Sequence, residues 1–92
     1  MTTPLSSLAH DQREGIRIML ELYADSCGYD VVEAAKISGV ECTPAFAAGI
    51  LIDCIGPGVE DGEREKFYPL WANLPQEEKR STMLEACSGY PG

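Results

Sequence analysis

Thr43-Pro44-Ala45-Phe46-Ala47-Ala48-Gly49-Ile50-Leu51-Ile52-Asp53-Cys54-Ile55 is the stretch that decides the fold class. Thr43 can N-cap a helix through its hydroxyl, and Pro44 suits the first helical position, where no N–H is needed. Gly56-Pro57-Gly58 supplies a sharp stop. Asp53 is the only charge inside, so the predicted helix is apolar almost all round. Such a helix reads as central and buried in a globular domain. At about a dozen residues it falls well short of the roughly 20 needed to span a bilayer.

Upstream, a polar and partly flexible lead-in over residues 1–9 precedes a first predicted helix from about Asp11 to Ser26, with Asp11 and Glu14 spaced as a capping box. Ile16, Met19, Leu20, Tyr23 and Cys27 recur at helical spacing and form its core stripe. Ile18 and Leu22 lie outside that stripe and widen the apolar arc to about 200°, where one core contact needs about 100°. Gly28 reads as the end of this helix. Asp30 with Glu33 then reads as the capping box of a second, short helix from Val31 to Ser38, closed by Gly39.

Downstream of the central stretch, Gly56 to Gly62 is a Gly/Pro-rich break in an acidic neighbourhood that includes Glu60, Asp61, Glu63 and Glu65. A helical segment follows from about Asp61 to Tyr68, with a break or kink expected at Pro69. Phe67, Leu70, Trp71 and Leu74 keep one face going across it. Pro75 opens a last helix, with Glu77 and Glu78 at its positive end and Met83, Leu84 and Cys87 as core contacts. Tyr90-Pro91-Gly92 reads as a loose tail. The expected architecture is therefore all-α, a single domain of four to five short helices around residues 43–55.

The 92 residues carry 15 acidic against 7 basic side chains, a net charge of −8. That balance opposes direct nucleic-acid binding and adhesion to an anionic membrane, and it suits a basic partner. The start of the chain shows no positive n-region or apolar h-region, and the four cysteines (Cys27, Cys42, Cys54, Cys87) form no C-x-x-C pair. Reduced thiols in a cytoplasmic protein are expected, and no metal site or cofactor is called for.

Chemistry is hard to build from this chain. His10, the only histidine, sits before the first helix, and no nucleophile elbow, zinc motif or P-loop is present. Asp53 reads as a solvent-edge or capping carboxylate. Residues 31–52 have a helix-turn-helix outline, with Ala35, Gly39 and Val40 spaced for it. Its second helix, however, offers Thr43, Phe46, Ala47 and Ile50 where a DNA reader needs Arg, Lys, Asn or Gln.

What is left over is apolar surface. Tyr23, Tyr29, Phe67, Tyr68, Trp71 and the Ile18/Leu22 pair exceed what one small core needs, and aromatic residues concentrate at interface hot spots. The expectation is a non-enzymatic inhibitor, immunity protein or antiactivator. It would bind another protein through Ile18, Leu22, Tyr29, Tyr68 and Trp71, with Glu14, Glu21 and Asp25 steering a basic or mixed surface. A helical assembly module, including a homodimer, and an acidic mimic of nucleic acid are the alternatives.

Overall fold

The structure, a computed structural model, describes residues 3–55 and 62–89. Four α-helices and one 3-10 turn (Leu5–Ser7) make up the architecture, with no strand among the described residues. The helices are α1 (His10–Ser38), α2 (Pro44–Cys54), α3 (Gly62–Ala72) and α4 (Gln76–Ala86). No helix among them is long and apolar enough to cross a membrane. The Gly56–Gly58 stop, the Glu60 and Asp61 loop and the Tyr90–Gly92 tail lie outside the described residues, as do the side chains of Glu63 and Glu65.

α1 corrects the sequence reading. Its 29 residues run without a break through Gly28 and Asp30, so two expected helices are one. A glycine in mid-helix costs about 1 kcal/mol relative to alanine, less than nucleating a second helix and satisfying two new ends. Gly28 is buried against the bundle. The row Met19, Tyr23, Cys27 and Val31, each four residues after the last, packs on the core straight through the expected gap, and Ala35, next in the row, is buried. Nor does Asp11 open the helix. Ala9 is the N-cap, and its backbone N–H donates to Gln12 Oε1 at 2.9 Å. The far end is as expected: Gly39 adopts φ 75°, and Val40 N–H returns to Ala35 O at 2.9 Å.

At 1.5 Å per residue α1 is about 43 Å long, comparable to the 41 Å longest extent of the molecule. It packs on α2, α3 and α4, and α2 also packs on α4. α2 begins as expected, with Phe46 N–H donating to Thr43 Oγ1 at 3.2 Å. It is buried on one side only, through Ala47, Ala48 and Leu51. These small residues let its backbone come close to its neighbours, which turns the bulkier Phe46 side outward. Gly49 marks no close approach, since a Cβ there would meet nothing within 4 Å.

α3 passes through Pro69 without a break, and Trp71 and Leu74 seal the core beneath it. The apolar rhythm that crosses the proline thus outweighs the lost N–H. At Gly15 the Phe67 ring lies directly on the α1 backbone. α4 buries Met83 and Cys87, but Leu84 is exposed, contrary to expectation. The lead-in is docked as well. Leu5 and Leu8 pack on the core, Thr3 N–H donates to Asn73 O at 2.7 Å, and Leu5 N–H donates to Glu78 Oε2 at 2.6 Å.

Candidate partner-binding surfaces

The core closes without the outer side of α1. Ile16, Met19, Leu20 and Ala24 point inward to Leu51, Leu74 and Met83, whereas Ile18 is 47% and Leu22 40% exposed. Because α1 is continuous, Tyr29 falls within about 20° of both Ile18 and Leu22 around the helix axis, and Asp25 within about 60°. Tyr29 is exposed too. The structure therefore joins Tyr29, which the sequence places between two helices, to Ile18 and Leu22 on the first. They form one strip about 17 Å long between Ile18 and Tyr29.

Trp71 leaves this set. It is 2% exposed and belongs to the core, where α3 crosses α1. Tyr68 is half-buried and packs against the same core. The acidic rim is also partly spent within the helix: Arg17 reaches Glu14 at 2.8 Å and Glu21 at 2.6 Å. The Arg17 guanidinium holds the Glu14 carboxyl below its ordinary value, first by hydrogen bonding and then by charge. Asp25 has no such partner among the described residues and is the rim's most available carboxylate.

A second surface went unread in the sequence. Where α1 overhangs α2, a cavity of about 330 Å³ opens between Val31, Ala34 and Ala35 on α1 and Phe46 and Ile50 on α2, with Val40 at one end. Phe46 and Ile50 look like the buried face of α2 when only side-chain size is weighed. The turned-in alanines leave Phe46 38% exposed, and Val40, in the loop before α2, is 43% exposed. The signal available was Ala47-Ala48-x-x-Leu51, a thin strip fit for close packing.

Near the other end of α2, burial first and then the neighbouring Cys27 and Cys54 thiols push the Tyr23 hydroxyl up to about 12. Burial likewise raises the Cys87 thiol above its ordinary value, with Cys42 adding to the effect. His10 is exposed at the start of α1. No group of three His, Cys, Asp or Glu side chains among the described residues is arranged to hold a metal ion.

Fold and surface together define a small all-α domain with apolar side chains left over on its longest helix. No family model matches the chain, and no curated protein or solved structure is similar enough to inform the reading of these surfaces.

Proposed function

We propose that this is a small acidic, non-enzymatic protein that binds another protein and regulates or inhibits it, through the outer strip of α1. The observation that supports this reading is the alignment of Ile18, Leu22 and Tyr29 on a face the core does not use. Half-exposed aliphatic side chains gain from burial in a partner, and an aromatic ring at the end of the strip adds contact area at little conformational cost. Asp25, with Glu14 and Glu21 beside it, favours a partner whose apolar patch is edged by Lys or Arg. It discriminates against acidic surfaces. A homodimer through the same strip is the second reading, favoured by the unbroken length of α1, which leaves room for two copies to lie antiparallel.

Leu22→Asp and Ile18→Asp test the surface. Each side chain is only about half buried, so removing it and adding a poorer helix former should cost the fold about 1–2 kcal/mol. Helicity and a cooperative melt should survive while partner capture or self-association is lost. Leu20→Asp, four-square in the core, is the control that should unfold the domain. Unfolding by Ile18→Asp and Leu22→Asp as well would make these residues core and sink the proposal.

A further inference from the structure

We infer that the groove between α1 and α2 is a second docking site, which takes a short amphipathic helix from a protein partner carrying large apolar anchors and Lys or Arg on its flanks. Its volume of about 330 Å³ lies at the lower end of the roughly 300–1,000 Å³ typical of binding pockets. That is room for one or two large side chains rather than a whole cofactor. The walls offer apolar contact on both sides, and Ala34 keeps the floor low.

Charge selects the occupant. Asp30 lines the groove. Outside the lining itself, Asp53 lies three residues after Ile50 on α2, and Glu41 adjoins Val40. None of these three carboxylates has a hydrogen-bond or ion-pair partner among the described residues. Lys36 is the only basic residue between 18 and 63. It points to the opposite side of α1 and pairs with Glu33 at 3.8 Å. A basic flank would thus meet Asp30 in the groove itself, with Asp53 and Glu41 on the neighbouring residues and no Lys or Arg in the lining.

Secondary structure narrows the occupant further. Both walls are helices, so the groove presents no open row of backbone N–H and C=O groups for an extended peptide to pair with. A helix satisfies its own backbone and needs only side-chain contacts. A second copy of this chain is disfavoured, because it brings another −8 of net charge against the same carboxylates. The groove and the Ile18–Tyr29 strip lie on opposite sides of α1, so this inference does not rest on the function proposed above.

The probe is a labelled helical peptide with Leu at positions i, i+4 and i+7 and Lys elsewhere. A Leu/Glu and an Ala/Lys counterpart serve as comparisons, all titrated into the intact protein with backbone amide NMR. Groove binding predicts shifts at Val31, Ala34, Val40, Phe46 and Ile50 with the Leu/Lys peptide. It also predicts an affinity loss of about two- to fivefold for each of Asp30→Asn and Asp53→Asn. Ala34→Arg, an exposed substitution by a good helix former, should weaken binding about tenfold or more without changing the circular dichroism. Phe46→Ser should do the same from the other wall. The inference is overturned by equal binding of the Leu/Glu or the Ala/Lys peptide, or by groove resonances that move on diluting the protein alone. Shifts confined to the Ile18–Tyr29 strip would overturn it while supporting the other surface.

Discussion

Adding one carbon at Gly15 should destabilise the protein, and removing the Phe67 ring should reverse the sign of that effect. A Cβ at Gly15 would lie 2.2 Å from Phe67 Cε1 and 2.3 Å from Cζ, well inside the roughly 3.5 Å of an ordinary carbon contact. Two terms oppose. Alanine is a better helix residue than glycine by about 1 kcal/mol, whereas overpacking costs about 1–3 kcal/mol. The ring is only partly buried and can give way, but doing so pulls α3 off α1. Gly15→Ala should therefore lose about 1 kcal/mol net, lowering Tm by about 4–8 °C for a domain of this size. In a Phe67→Ala background, itself weaker by a few kcal/mol, the same substitution should gain about 1 kcal/mol. The resulting coupling is about 2 kcal/mol. Gly49→Ala, with open space around it, should stabilise by about 0.4–1 kcal/mol in either background. Urea unfolding followed by circular dichroism reads all of these. Additive Gly15 and Phe67 effects, or a stabilising Gly15→Ala in the wild type, would refute the packing of α3 beside Gly15.

Three further outcomes follow from the same geometry. Tyr23 is held neutral up to about pH 12 in the fold but ionises near 10 when unfolded. Its contribution is thus complete below about pH 10 and lost as pH rises toward 12, and Tyr23→Phe should flatten the stability curve across that window. Cys54 is exposed while Cys87 is buried with its thiol raised, so at neutral pH an aromatic disulfide reagent should label Cys54 first. Cys87 should react only as fast as the protein opens, and prompt labelling of it would contradict the core. Glu78→Ala leaves Leu5 N–H without its acceptor. It should cost about 1–2 kcal/mol and remove hydrogen-exchange protection at residues 3–8, leaving α1 and α2 protected.

Where several local signals agreed, the sequence was legible. The start of α2 carried a cap and a proline, and the end of α1 carried a glycine in the left-handed region with a returning Val40 N–H. Gly28 and the Asp30–Glu33 pair mimicked a stop and a start. Only the row from Met19 to Val31, which ignores the gap, argued otherwise. Local propensity yielded to tertiary packing there, as it did at Pro69. The outer strip was legible at Ile18 and Leu22, because their angular position does not depend on the partner helices. Tyr29 joined it only through the continuity of α1. Trp71 was misplaced because an aromatic surplus counted along the chain says nothing about which rings fill the crossing of two helices. The groove was hidden because it depends on the rotation of α2, set by Ala47 and Ala48 rather than by its large side chains.

Affinity capture with the tagged wild type beside Leu22→Asp, read by mass spectrometry, tests the outer strip of α1 most directly. Binding through the strip predicts one stoichiometric partner retained by the wild type and lost by the variant, with both proteins equally folded. Retention of that partner by Leu22→Asp, or recovery of the protein alone as a salt-resistant oligomer, would contradict it.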